Sequence, residues 1–155
     1  GKSYVVLGQT ITSMSTGSTM NLSQADYAFV GENEDDQAGY SVGSAGDVDG
    51  DGLDDILIGA PYNDDGVSDG GKTYVVSGMM MSSLVPNTSI SLSRVDLFFT
   101  GVGGYAELGH ANSGIGDINE DGLDDILIGA PYHSGASNES GQSYLLFGGF
   151  LEGGW

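Results

Sequence analysis

The sequence predicts an all-β fold built from a 70-residue repeat, and three observations support this prediction. The segment GKSYVVLG at 1–8 returns as GKTYVVSG at 71–78 and as GQSYLLFG at 141–148. The block DGLDDILIGAPY occupies 51–62 and again 121–132. Short runs of β-branched and aromatic residues end at Gly, Asp, Asn, Ser or Pro, while helical periodicity is nearly absent. The chain therefore holds two repeats of one unit and a third copy of its opening segment.

The apolar runs predict four short antiparallel strands in each unit. In chain order we expect strands over 3–7, 24–30, 39–46, 55–60, 72–77, 94–100, 109–116, 125–130 and 142–147. Only MMMSSL at 79–84 shows a mild helical tendency. Four short strands, repeated with no helix between them, are typical of a β-propeller blade rather than of a sandwich. We therefore expect a blade part over 1–31, a complete blade over 39–101, and a blade part over 109–148 that lacks its last strand.

The composition limits the classes of function. Three basic residues face 22 acids, for a formal net charge of −19. This balance argues against nucleic acid and against membrane insertion, because the cations that neutralise phosphates and anionic lipids are missing. The chain has no cysteine, so it forms no disulfide and no thiolate metal site. No apolar run approaches the roughly 18 residues of a spanning helix, and no signal peptide is recognised. We interpret residues 149–155, which include LEGGW, as an added tail.

Two acidic loops, DVDGDGLDD at 47–55 and DINEDGLDD at 117–125, predict cation binding. Carboxylates this close repel one another unless a positive charge joins them. Loop positions 1, 3, 5 and 9 carry oxygen side chains, position 6 is a glycine that permits a sharp turn, and position 7 can offer its carbonyl. Hard oxygen ligands at this spacing suit Ca²⁺, whereas Mg²⁺ fits less well because it keeps several waters.

We predict two calcium sites per chain, one in each loop. Their ligands are Asp47, Asp49, Asp51, the Leu53 carbonyl and Asp55 in the first loop, and Asp117, Asn119, Asp121, the Leu123 carbonyl and Asp125 in the second loop. Because Asn119 replaces a carboxylate, we expect the first loop to bind more tightly. Asp54 and Asp124 lie between ligand positions and are expected to face solvent. The alternative is a solvated acidic turn without an ion, whose carboxylates would repel one another without compensation.

An EF-hand is excluded by the residues that follow each loop. That motif needs a bidentate Glu at position 12 of the loop, on a helix. Position 12 is Ile58 or Ile128, inside DILIGAP, whose Gly-Ala-Pro ending disfavours a helix. Each loop therefore joins two strands.

Both units resemble the FG-GAP repeat, the blade unit of the integrin α-subunit β-propeller and of related bacterial surface proteins. The segment AGYSVGSAGDVDGDGLDDILIGAPY at 38–62 carries the D-x-D-x-D-G-x-x-D loop and the Gly-Ala-Pro strand of that repeat. The resemblance covers 1–148, although Ala38-Gly39 and Leu108-Gly109 replace its Phe-Gly pair. It implies blades of a ring that usually has seven, calcium-stabilised adhesion or protein binding at the cell surface or outside the cell, and no catalytic residues.

Two other functions compete with the adhesion hypothesis. One is a propeller hydrolase or lyase whose active site lies in further blades. The segment GYSVG at 39–43 fits the G-x-S-x-G pattern, but that motif needs a helix after the serine, and the equivalent of Ser41 is Ala111. The other is an excised or engineered fragment that assembles with itself and has no ligand of its own.

Self-association by blade completion is expected because two blades cannot close a ring. Residues 22–30 of one molecule could complete the sheet of 109–147 in another molecule, satisfying an exposed strand edge. The third strand would then be supplied twice, by 1–8 and by 141–148, so one copy should be displaced. Two, three or four copies would give four, six or eight blades, and we favour the trimer.

Overall fold

The computed structural model describes residues 1–134 and 140–149. Strands in this part of the chain are β1 (Lys2–Val5), β2 (Tyr27–Val30), β3 (Ser41–Gly46), β4 (Asp55–Ala60), β5 (Lys72–Val76), β6 (Thr88–Ser91), β7 (Leu97–Thr100), β8 (Ala111–Gly116), β9 (Asp125–Ala130) and β10 (Gln142–Leu146). Two helices of six residues each, α1 (Gly8–Ser13) and α2 (Gly78–Ser83), follow β1 and β5. Single 3₁₀ turns, Leu22–Gln24 and Leu92–Arg94, precede β2 and β7.

These strands form three sheets, which we call the first, middle and third sheet. The middle sheet has the order β3-β4-β5-β7 and is antiparallel throughout, as a complete four-stranded blade requires. The third sheet has the order β10-β9-β8, and the first sheet the order β1-β2-β6. The all-β fold of propeller blades is thus confirmed. Each predicted strand is present within a few residues of its expected bounds.

Strand β6 was not predicted, and it changes the make-up of the first sheet. It runs parallel to β2, with Tyr27 opposite Thr88 and Val30 opposite Ser91, so this sheet is not wholly antiparallel. The sequence TSIS is too short and too polar to be recognised as a strand. Its one apolar side chain, Ile90, is 1% exposed and lies in the core between the first and middle sheets. Burial of that side chain explains the pairing.

The two helices differ in how well the sequence predicted them. Helix α2 coincides with the helical tendency at 79–84. Helix α1 was not predicted, since it is polar and buries none of its residues. A distant carboxylate holds its start: the Leu7 backbone N–H and the Thr10 hydroxyl donate to Asp26 at 2.8 and 2.9 Å.

Two apolar cores lie between the three sheets, and the middle sheet contributes side chains to both. Successive side chains of a strand point to opposite faces. One face of β4 and β5 therefore packs toward the first sheet, and the buried residues of that core include Ile58, Tyr74, Val76, Phe29 and Ile90. The opposite face packs toward the third sheet, with Leu57, Val75, Ile126, Ile128 and Ala130. The sheets stack face to face, as neighbouring blades do.

The repeat also leaves one sheet face uncovered. Leu57 and Val75 of the middle sheet are 0% and 3% exposed, because the third sheet packs on them. Their equivalents 70 residues later, Leu127 and Leu145, are 40% and 45% exposed, and the neighbouring Phe147 is 44% exposed. The same positions are therefore core in one unit and surface in the next.

Bulges position the acidic loops at one end of the sheets. The register between β3 and β4 shifts between Ser44 and Gly46, and that between β8 and β9 shifts between Gly114 and Gly116. Gly46 and Gly116 have φ values of 77° and 75°, which non-glycine residues rarely adopt. A bulge bends the strand locally, and each acidic loop begins at the residue after it.

Candidate metal centre

The first loop, residues 47–55, gathers three of its predicted ligands. One carboxylate oxygen from each of Asp47, Asp49 and Asp51 lies within 4.8 Å of the other two. Each of these side chains is half-buried. Gly50 and Gly52, at φ 77° and 84°, allow the chain to turn tightly between them.

Backbone amides of the loop fix the orientation of these carboxylates. Gly50 N–H donates to Asp47 Oδ1 at 2.8 Å and Gly52 N–H donates to Asp47 Oδ2 at 3.0 Å. Asp51 N–H donates to Asp49 Oδ1 at 3.0 Å, and Leu53 N–H donates to Asp51 Oδ1 at 2.7 Å. Because each carboxylate oxygen has two lone pairs, these bonds leave acceptor capacity for a cation.

Asp51 also ties the loop to the end of β5. Its Oδ2 accepts hydrogen bonds from the Ser77 hydroxyl at 3.2 Å and from Met79 N–H at 3.0 Å. Ser77 is the N-cap residue of α2, and its own hydroxyl accepts from Met79 N–H. The fifth loop position thus holds the start of a helix as well as the loop.

Asp55 lies outside the group of three carboxylates and connects the loop to neighbouring backbone. It is 1% exposed, and its two oxygens accept from Val48 N–H at 3.1 Å and from Gly78 N–H at 2.9 Å. Its pKa is raised to about 6, chiefly by burial and also by the nearby Asp49 and Asp51, against the lowering effect of the two amides. The sequence assigned Asp55 a ligand role, which stays a prediction. The structure shows it bonded to two backbone segments.

The second loop, residues 117–125, repeats much of this scaffold in a more exposed setting. Asp117 accepts from Asp121 N–H at 3.1 Å and from Gly122 N–H at 2.8 Å. Asn119 has the position that Asp49 has in the first loop. Its Nδ2 donates to Asp121 Oδ2 at 2.7 Å. Asp125 is buried like Asp55 and accepts from Ile118 and Gly148 N–H, both at 2.9 Å.

The two predicted carbonyl ligands lie at equivalent turns. Leu53 N–H donates to Asp51 Oδ1 at 2.7 Å, and Leu123 N–H donates to Asp121 Oδ1 at 2.9 Å. The same local turn therefore presents both carbonyls, and their role as ligands stays a prediction.

The expectation that Asp54 and Asp124 face solvent is correct for the first residue and wrong for the second. Asp54 is exposed. Asp124 is half-buried, and its Oδ2 accepts the Asp47 backbone N–H at 2.9 Å. No sequence signal separates the two residues, because both lie in the identical block DGLDDILIGAPY. The difference arises because the third sheet brings Asp124 against the first loop.

The donor chemistry of both loops fits a hard divalent cation. All predicted ligands offer oxygen, and the spacing suits the flexible coordination of Ca²⁺ better than a rigid octahedron. In the described part of the chain, the ion pairs of lysine lie elsewhere, since Lys72 pairs with Glu32 and Asp65. His110 lies beside Glu107, also away from this loop. The three carboxylates of the first loop thus converge without a side-chain cation between them.

Comparison with known proteins agrees with this architecture. The family model described as the FG-GAP repeat matches residues 38–76 and 111–146, which contain both acidic loops. The chain belongs to the FG-GAP repeat family. This FG-GAP chain is also similar to integrin alpha-5 of Xenopus laevis, with 38% identity over 128 residues that cover 79% of this chain and 11% of the relative. The resemblance to the integrin α-subunit blade is thus confirmed.

Two other integrin α subunits are similar to this chain. Integrin alpha-IIb of Mus musculus is 37% identical over 110 residues, covering 71% of this chain and 10% of the relative. Integrin alpha-8 of Homo sapiens is 32% identical over 130 residues, covering 81% and 11%. The FG-GAP chain spans about a tenth of the length of these relatives. None of its helices within 1–134 and 140–149 is long and apolar enough to cross a membrane.

The structure gives Ser41 of the GYSVG segment a packing role. Its hydroxyl donates to the Gly109 carbonyl at 2.7 Å and accepts from Asn112 Nδ2 at 2.6 Å. Neither partner is a base that could activate a nucleophile. Ser41 also begins a strand and is not followed by a helix. The hydroxyl joins the middle sheet to the third sheet.

Proposed function

We propose that this FG-GAP chain is a calcium-binding, integrin-like β-propeller module that serves as an adhesion or protein-binding scaffold at the cell surface or outside the cell. The convergence of Asp47, Asp49 and Asp51 without a side-chain cation is the observation that carries the proposal. Its family and the integrin α relatives support it. We further propose two calcium sites per chain, the second at 117–125.

The role of each residue follows from its contacts. Asp47, Asp49 and Asp51 would hold the cation, and bound Ca²⁺ supplies the positive charge that offsets their mutual repulsion. The amides of Gly50 and Gly52 orient Asp47, so the loop needs little reorganisation to bind. These contacts are structural. They orient the loop and would stabilise the blade.

Thermal unfolding with and without calcium tests the proposal. Ligand binding at a hundredfold excess over Kd adds about 2.7 kcal/mol per site, so two sites add about 5 kcal/mol. For a domain of this size each kcal/mol shifts Tm by about 2–4 °C. Chelation should therefore lower Tm by about 10–20 °C. The double variant Asp51→Ala with Asp121→Ala should not respond to calcium, whereas the control Asp54→Ala should respond fully. An unchanged melting curve in chelator contradicts the proposal.

We also propose that the module has no catalytic activity, because the hydroxyl of Ser41 is bonded to two groups that cannot act as a base. The full chain should not turn over activated esters, and Ser41→Ala should match it. Turnover that disappears in Ser41→Ala would identify a hydrolase instead.

Self-association is a further part of the proposed function. Among the described residues β10 pairs with β9 alone. In the middle sheet, β5 pairs with β7 so that Lys72 lies opposite Thr100. In the first sheet, β1 pairs with β2 so that Lys2 lies opposite Val30. The two registers are the same, one repeat apart. Strand β10 is the third copy of this strand. It can therefore replace β1 on the β2 strand of a second copy without a change of register.

Three copies linked in this way would give a six-bladed ring, and that closed trimer is the assembly we propose. The β1 segment would then be the displaced copy, while β2 keeps its pairing with β6. Light scattering at micromolar concentration in calcium should give three times the chain mass. A chain without residues 1–7 should also form a trimer. A monomer in both samples would contradict the assembly.

A further inference from the structure

Asp124 connects the two acidic loops directly. Its Oδ2 accepts the backbone N–H of Asp47 at 2.9 Å, and its own backbone N–H donates to the Asp47 carbonyl at 2.9 Å. Asp47 is the first predicted ligand of the first loop. Asp124 precedes Asp125, the last predicted ligand of the second loop. Two reciprocal hydrogen bonds thus join residues that are distant in sequence and lie in the loops of different sheets.

The surroundings of Asp124 and Asp47 leave both residues little conformational freedom. Asp124 packs on the α-carbon of Gly46, where a side chain would overlap its carboxylate. Asp47 in turn accepts from Gly50 and Gly52 N–H through its carboxylate oxygens. The Asp47 backbone is therefore held by Asp124 on one side, while its side chain is held by the loop on the other.

A second set of hydrogen bonds also connects the two loops. Gly149 N–H donates to the Val48 carbonyl at 2.8 Å. The preceding Gly148 N–H donates to Asp125 Oδ1 at 2.9 Å. The segment after β10 therefore connects the last predicted ligand of the second loop to the residue after Asp47.

Resting on the proposed function, we infer that Asp124 is a positioning residue through which occupancy of the second loop increases the calcium affinity of the first loop. A cation on the second loop orders the segment that carries Asp124, and this segment holds the Asp47 backbone in its binding position. The first loop then loses less conformational freedom when it binds. By linkage, the first loop strengthens the second by the same factor.

The repeat supplies a matched control for this inference. Asp54 is the equivalent of Asp124 in the same twelve-residue block, and it is exposed. Substitution of either aspartate removes one charge from the same local sequence. Only Asp124→Ala removes the side-chain hydrogen bond to the Asp47 N–H, while the backbone bond between the two residues remains.

The experiment is a calcium titration followed by NMR, with the amide resonances of Gly52 and Gly122 as reporters of the two loops. Both amides donate to the first aspartate of their own loop. Asp49→Ala removes a ligand of the first loop without touching the second. Because the tighter first loop fills before the second in the unaltered chain, the coupling is the Kd of the second loop in Asp49→Ala divided by its Kd in the unaltered chain. We expect at least about fivefold, the lower end of measured couplings.

Substitution of Asp124 then separates positioning from general stability. In the Asp124→Ala background the coupling should fall clearly below its value in the unaltered chain, because the side-chain bond to the Asp47 N–H is lost, while Asp54→Ala should keep it. Asp124→Asn retains an amide oxygen that accepts the Asp47 N–H, so it should keep most of the coupling. A merely structural role would lower the unfolding temperature of Asp124→Ala and leave the ratio unchanged.

The outcomes also separate this inference from the proposed function. Absence of calcium binding at Gly52 and Gly122 in the unaltered chain overturns both. Calcium binding at both loops with a coupling near one overturns the role of Asp124 alone. An equal loss of coupling in Asp124→Ala and Asp54→Ala, or in Asp124→Ala and Asp124→Asn, also overturns it.

Discussion

Residues 51–62 and 121–132 have one sequence of twelve residues and two different surroundings. In the first copy Leu57 is fully buried, and Asp51 holds the N-terminus of α2. In the second copy Leu127 is 40% exposed and Asp121 bonds to Asn119 of its own loop. The local strand and loop form in both places.

This comparison separates local from non-local effects. The first copy lies between two sheets, so its apolar side chains pack on both faces of the strand. In the second copy Ile128 packs toward the middle sheet, whereas Leu127 points away from it. Identical residues should therefore contribute unequally to stability, and paired substitutions can measure the difference.

The largest difference is expected for the leucine pair. Leu57→Ala should lower the free energy of unfolding by about 2–5 kcal/mol, as for other fully buried leucines. Leu127→Ala in a monomeric sample should cost less than about 1 kcal/mol, because much of that side chain is already in water. Denaturant unfolding in calcium measures both. Equal costs at low protein concentration would contradict the structural difference. A cost for Leu127→Ala that grows with concentration would support self-association through this face.

A smaller difference is expected for the aspartate pair in chelator, where no cation contributes. Asp51→Ala should lose about 1–3 kcal/mol, because it removes the shorter of the two bonds that Met79 N–H makes and also the bond to the Ser77 hydroxyl. Asp121→Ala should lose less than about 1 kcal/mol, since its partners are exposed. Melting curves in chelator give both values. A larger loss for Asp121→Ala would show that the two loops do not differ as the contacts indicate.

The smallest difference concerns the loop ligands. Asn119→Asp gives the second loop the carboxylate that the first loop has at Asp49. A further charge beside Ca²⁺ should raise its affinity by about tenfold, or about 1.4 kcal/mol, and bring it close to that of the first loop. Calorimetry on Asn119→Asp and on the matched reverse variant Asp49→Asn tests this. If the second loop already binds more tightly in the unaltered chain, the predicted order of affinities is wrong.

Much of the fold follows from local sequence. Apolar runs bounded by turn residues predicted nine strands, and the 70-residue repeat predicted that they would form like units. The D-x-D-x-D-G spacing predicted that Asp47, Asp49 and Asp51 would face one point, because a tight turn brings alternate residues to the same side. These features depend on residues that are near one another in the chain.

Tertiary structure decided the features that depend on which sheet lies beside which. The polar segment Thr88–Ser91 became a strand because Ile90 fills the core beside β2. Asp124 bonds to Asp47 while Asp54 remains exposed, although their flanking residues are identical. Local sequence could not distinguish Asp54 from Asp124, or Leu57 from Leu127. Burial and hydrogen bonding at those positions come from a neighbouring sheet that is distant in sequence.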